Sequence, residues 1–145
     1  MNHRTAAVIK FCAEECARQQ SGELSVANMV EAYQMACQCW LANTTDIRPW
    51  VIKNLGQMVD PEANANGFRQ TPVLINAISI PWSNIERNIE SICNLQKEAN
   101  AAEFYYAFER IHPFIDGNGR VGAILYNWLN DTLFTPEAAP LMHFA

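Results

Sequence analysis

Apolar residues spaced by three and four recur along most of this chain, and that rhythm constrains the fold more than any other feature. Such spacing lines one face of an α-helix. Residues 5–18 fit a short first helix. Ser25 is a candidate N-cap for a second, on which Val26, Met29, Val30, Tyr33, Cys37 and Trp40 form one stripe. A third is predicted to open near Thr45 or Asp46, with Pro49 tolerated in its first turn and Trp50, Val51, Leu55 and Met58 following. Residues 60–67, DPEANANG, lose the period and read as loop. The period restarts at Ile85, Ile89, Ile92 and Leu95, behind a candidate capping box of Ser83 and Glu86. Ala101, Phe104, Phe108 and Ile111 mark the next helix, whose aromatics, Tyr105 and Tyr106 included, read as core and flank packing. Pro113 ends it at His112, because the residue before a proline is driven out of the α region. Val121, Ile124, Leu125 and Trp128 define a last helix.

Residues 68–82, FRQTPVLINAISIPW, differ in kind. Val73, Ile75 and Ile78 are β-branched, Asn76 and Ala77 can turn the chain, and Pro72 and Pro81 bracket the segment, which predicts a short hairpin. Two such strands are marginal in water unless they pack on something, so the hairpin is expected to lie on the helical body. Its unpaired edge can accept another chain as an added strand.

With 145 residues the chain is long enough for one domain with its own core. Half of it is apolar and 17% is charged, which excludes a disordered polymer. A net charge of −5 argues against sequence-independent nucleic-acid binding, which draws on many Lys and Arg contacts to phosphate. The cysteines, Cys12, Cys16, Cys37, Cys39 and Cys93, are odd in number and form no CxxC pair, so they read as buried small residues of a reducing compartment and not as a zinc or disulfide framework. Charges spread through the first twenty residues leave no signal-peptide pattern or membrane span. A cytoplasmic protein is therefore expected, with export as an effector left open.

The densest chemistry lies in residues 111–123, IHPFIDGNGRVGA. DGNG, at 116–119, joins the end of one buried helix to the start of another. A helix N-terminus carries free N–H groups and about half a positive charge, and glycines let the backbone approach a ligand closely, a combination that suits phosphate. Arg120 can add a charge-assisted hydrogen bond to the same group. Asp116 at the mouth would repel a bare phosphate, which points to a cation such as Mg²⁺ between them. His112 has an unperturbed pKa near ~6.5 and can take a proton at neutral pH, while Asn118 is available to stabilise charge on a phosphoryl oxygen. An EF-hand loop fails, since Arg120 and Val121 stand where it needs a ligand and a glycine. From the residues alone, a phosphate site and a plain helix connection with a capping carboxylate both stay open.

The run HPFIDGNGR resembles the signature of Fic-domain proteins, roughly H-P-F-x-D/E-G-N-G-R-x-x-R, and matches it through Arg120. GFRQTPVLI and PWSNIERNI are similar to that family's flap hairpin and following helix, so the resemblance covers about residues 45–140. It implies an all-α fold, a compact Fic-type helical bundle with a short β-hairpin flap beside the active-site loop. Residues 1–24 then form an N-terminal helical extension and 25–145 the Fic-like domain, with the flap at about 68–80 and the loop at 112–120. The implied activity is transfer of AMP from Mg-ATP to a Ser, Thr or Tyr hydroxyl of a target protein. His112 would be the general base, Asp116 the Mg²⁺ ligand, and Gly117, Asn118, Gly119 and Arg120 the nucleotide cradle. Phe114 would anchor the loop in the core, and Arg69, Val73, Leu74 and Ile75 would dock the target.

Two departures accompany the resemblance. Ala123 stands where the signature has its second arginine, which implies weaker ATP binding, another donor, or a nucleotide- or partner-binding module without transfer. No S/T-x-x-x-E-G/N inhibitory pattern occurs, so regulation, where it exists, is expected from a separate antitoxin-like protein. Doc-type relatives phosphorylate their targets with the nucleotide reversed and carry lysine at the position of Gly119, which favours AMP transfer here.

Overall fold

The computed structural model describes residues 3–42 and 46–140. Among them the order is α1 (His3–Arg18), α2 (Glu23–Leu41), α3 (Pro49–Val59), β1 (Val73–Ile75), β2 (Ile78–Ile80), α4 (Ile85–Asn94), α5 (Ala101–Ile111) and α6 (Asn118–Leu129). This is the helical body with one hairpin that the apolar rhythm predicts. No helix among the described residues is long and apolar enough to cross a membrane.

α6 is the axis of the bundle. Its Val121, Ala123, Ile124, Leu125 and Trp128 are all buried, and so are the polar Asn118, Arg120 and Asn127, as expected of a helix enclosed on most sides. It packs against α5, α3, α2 and α1. Tyr33, Leu55, Phe104, Phe108 and Phe114 fill the space around it. Asn127 is fully enclosed, yet both ends of its carboxamide are satisfied, by the carbonyls of Ala123 and Glu137 and by the Thr132 hydroxyl and the Glu137 N–H. That network folds the segment after α6 back onto the bundle.

Several local expectations shift. α2 begins at Glu23 with Gly22 as its N-cap, so Ser25 lies inside the first turn. α3 begins at Pro49, whose missing N–H is one the helix start would leave unused anyway; Thr45 falls outside the described residues, and Asp46 precedes the helix. α3 turns Val51, Ile52, Leu55 and Val59 inward and leaves Trp50 exposed. Ser83 and Glu86 make no capping box, because the N-cap of α4 is Asn84 without a side-chain bond and Glu86 pairs instead with Lys53 at 3.3 Å. The box forms at the start of α5, between Asn100 and Glu103. α4 ends at Asn94, so Leu95 leaves the apolar stripe and Cys93 takes the buried place.

The hairpin pairs Val73 with Ile80, Leu74 with Ser79 and Ile75 with Ile78. Asn76 and Ala77 both have positive φ, 50° and 65°, the type I′ geometry whose twist suits a two-residue hairpin. All five cysteines are free. Burial pushes the Cys12 and Cys93 thiols up to about 12, which leaves them inert at neutral pH.

Candidate active site

α5 stops at His112, which closes the helix in the left-handed region at φ 50°, ψ 61°. Pro113 forbids continuation of the helix, and a β-substituted residue at such angles costs ~1–3 kcal/mol unless its surroundings hold it there. Arg69 does the holding. Its guanidinium is buried and donates to five carbonyls, those of His112 (2.6 Å), Ile111 (3.3 Å), Thr71 (2.6 Å), Ile80 (3.3 Å) and Pro81 (3.2 Å). The base of the hairpin and the end of α5 are thereby tied to one cation. The Arg69 N–H adds a bond to the Pro113 carbonyl at 2.9 Å.

Burial first, and the Arg69 charge second, pull the His112 pKa below its ordinary 6.5. The imidazole is therefore neutral at pH 7 and can accept a proton. It lines a cavity of about 180 Å³ with Ile115, Asp116, Gly119 and Arg120, and with Gln19 and Ser21 from the end of α1.

The loop beyond His112 is fixed from within. Phe114 is fully buried, its ring lies 5.5 Å from that of Phe68, and it packs so closely on Gly56 that a Cβ there would overlap it. The Asn118 side chain brackets Phe114, accepting from its N–H and donating to its carbonyl, both at 2.9 Å. Asn64 does the same for Asp116, donating to its carbonyl at 2.8 Å and accepting from its N–H at 3.4 Å. Gly117 sits at φ 84°, and a Cβ on it would lie 2.7 Å from Val59 Cγ1, so both backbone and space demand glycine.

At the start of α6 the first intrahelical donor is Val121, bonded to the Gly117 carbonyl at 3.0 Å. The N–H groups of Asn118, Gly119 and Arg120 thus have no acceptor within the helix. Arg120 reaches Asp116 Oδ2 through Nη2 at 3.0 Å, while its other terminal nitrogen, Nη1, is buried with no hydrogen-bond partner among the described residues. An orphaned guanidinium N–H beside unused backbone donors is what an anion site requires.

Residues 43–130 match the Fic/DOC family profile. The chain belongs to the Fic/DOC family. Membership makes it transferase-like, with nucleotide transfer as the general chemistry. No curated protein matches the chain.

Within this Fic/DOC chain, His112, Asp116, Gly117, Asn118, Gly119 and Arg120 come together around one cavity, and Phe114 lies in the core behind it. Two side chains do something other than the sequence suggests. Asn118 is buried and its carboxamide is engaged with Phe114, so its side chain positions the loop and its backbone N–H is the donor left without an acceptor in the helix. Arg69, grouped by sequence with the docking residues, is 2% exposed and turned inward, which corrects that assignment. Val73, Leu74 and Ile75 form the first strand of the hairpin, with Leu74 74% exposed.

Sequence reasoning missed Asp60, Asn64, Gln19 and Ser21. The Asp60 carboxylate lies within hydrogen-bonding reach of Asp116, and that contact is the leading cause of its lowered pKa. Nothing in local spacing ties residue 60 or 64 to residue 116; the pairing exists only once α3 and α6 pack together.

Proposed function

We propose that this chain transfers AMP from Mg-ATP to a Ser, Thr or Tyr hydroxyl of a target protein. The observation that carries the reading is a neutral His112 beside an unpartnered Arg120 Nη1 at a helix N-terminus, a base and an anion cradle in one cavity.

His112 would take the proton of the target hydroxyl as its oxygen attacks the α-phosphorus. The bond to the leaving pyrophosphate then breaks, and the proton remains on the imidazole. Arg120 and the N–H groups of Asn118, Gly119 and Arg120 would hold phosphate oxygens. The donor set fits Mg²⁺: Asp116 is largely exposed with Asp60 beside it, and Mg²⁺ is commonly held by one or two carboxylates plus substrate phosphates. No group of three or more His, Cys, Asp or Glu gathers among the described residues, so phosphates and water would complete the shell. When bound, the ion would neutralise charge on the phosphates.

The flap supports strand addition. Ile75 and Ile78 flank the two-residue turn as a hydrogen-bonded pair, so by alternation Leu74 directs its N–H and carbonyl away from β2. A target segment pairing there would be held in register beside the cavity.

A second reading rests on Ala123, which is buried and brings no cation to the phosphates: a module that binds nucleotide without transferring it. Intact-mass spectrometry after incubation with Mg-ATP, CTP, GTP or UTP separates the two. The expected result is a gain of one nucleotide monophosphate on the chain itself or on an added target, lost in His112→Ala, where removal of the base slows transfer roughly 10²–10⁴-fold while nucleotide still binds. A gain of one phosphate would establish the Doc-type reaction instead, and no adduct with any donor would favour the binding module.

A further inference from the structure

α1 lies outside the residues that match the family profile, yet the turn just beyond its end forms part of the cavity wall. Gln19 and Ser21 line it opposite Gly117, Gly119 and Arg120. The approach is close: a Cβ on Gly119 would overlap the Gln19 carboxamide oxygen. Gln19 is also held in place, because its Nε2 donates to Glu15 Oε2 at 3.0 Å. Glu15 is itself 3% exposed and held by Arg18, whose Nη2 contacts both carboxylate oxygens. Ser21 is anchored by its N–H to the Cys16 carbonyl at 2.8 Å.

Ala123 follows Gly119 by one helical turn on the same face of α6 and is 1% exposed. The face that α1 covers therefore carries no cation beyond Arg120. A cavity of about 180 Å³ is smaller than the ~300 Å³ lower bound for a whole small-molecule site, so it suits a chain of phosphate groups more than a complete nucleotide. The polar groups around such a chain are those of the α6 N-terminus, Arg120 and the turn after α1, with His112 and the Asp116 carboxylate lining the same cavity.

We propose that the turn following α1 is a wall of the phosphate site, in which Gln19 Nε2 and the Ser21 hydroxyl donate to the oxygens that Arg120 and the α6 N-terminus hold. The proposal rests on the phosphate reading of that N-terminus. It makes two residues outside the matched region determinants of donor affinity. Gln19 Nε2 gives one hydrogen to Glu15, so its second hydrogen is what it would offer a ligand, while Oε1, the atom nearest Gly119, is an acceptor and holds no phosphate oxygen. The Ser21 hydroxyl can rotate to donate. Both are neutral donors, so they select for an extended, hydrogen-bond-accepting anion without adding net charge.

Truncation is a poor test, because α1 supplies Phe11, Cys12 and Cys16 to the core. Point variants of the full chain avoid this. Inorganic pyrophosphate with Mg²⁺ is titrated calorimetrically into the wild type, Gln19→Ala, Ser21→Ala, the double variant and Arg120→Gln, with thermal unfolding as the folding check. The expected result is binding to the wild type, its loss in Arg120→Gln, and a roughly 3–10-fold weakening in each single α1 variant, larger in the double. Unchanged affinity in Gln19→Ala and Ser21→Ala, with Arg120→Gln still defective, would overturn the role of α1 and leave the phosphate reading intact. Tighter binding would also overturn it, by showing the turn to be an obstruction. No binding by the wild type would remove the phosphate reading and this proposal together.

Discussion

The loop at 112–120 and the flap at 73–80 are joined through Arg69 but are built on opposite principles. The loop is held from within by side chains: Phe114 is sunk in the core, Asn118 and Asn64 bracket its backbone, and Gly117 takes an angle and a space that no other residue fits. The flap is two strands of three residues, with Leu74 and Ile78 turned to solvent. The contrast separates two tasks. A base and an anion cradle must be pre-organised before substrate arrives, whereas a surface that receives a partner strand must keep its edge groups unpaired. Arg69 belongs to both regions, and the predictions test that division.

The largest stability effect is expected for Arg69→Met, which strips five carbonyls of their shared donor. A loss of about 3 kcal/mol corresponds to a fall in Tm of roughly 6–12 °C for a chain of this size. Calorimetry checks it, and a change under a degree would show that loop and flap are not joined there. The same substitution bears on His112. Because its pKa is depressed, transfer should be flat above 6.5 and decline as pH falls through that lower pKa, where the imidazole protonates. Removing the Arg69 charge should move the decline to higher pH; a pH profile identical to that of the wild type would remove Arg69 from the electrostatics of the base.

Ala123→Arg comes next. Position 123 is 1% exposed, so overpacking should cost about 2 kcal/mol, read as a lower Tm and not as a gain in transfer. An increase in transfer with unchanged Tm would mean that the α1 side of α6 is looser than the packing implies. The smallest effect is expected for Leu74→Pro. It deletes an N–H that points away from β2 and should leave Tm unchanged, while lowering modification of a target roughly 3–10-fold. An unaffected rate would argue against strand addition at that edge.

What could be read from the chain alone follows the same division. The inward face of α6, the break at His112–Pro113 and the Asn76–Ala77 turn are encoded within a few residues of themselves, by apolar period, proline sterics and turn chemistry. Arg69 illustrates the opposite case: in sequence it is a polar residue beside a hairpin, and only the folded chain brings carbonyls from residues 71, 80, 81, 111 and 112 around it. Asn64 and Gln19 were silent for the same reason, since their partners lie far along the chain. At the start of α5, Asn100 with Glu103 had the form of a capping box as plainly as Ser83 with Glu86 did. The helix starts separate them: α4 opens at Ile85 behind Asn84, which puts Ser83 and Glu86 out of register for a box, whereas α5 opens at Ala101 behind Asn100.

The five-carbonyl grip of Arg69 makes the two regions thermodynamically reciprocal. Under the proposed function, a target that pulled on residues 71, 80 or 81 when pairing with the flap would also change how strongly the guanidinium bears on the His112 carbonyl and ring. Linkage then requires the converse: protonating His112 must alter target affinity by the same factor that target binding alters its proton affinity. Under the proposed function, substrate recognition and the readiness of the base would be two readings of a single equilibrium.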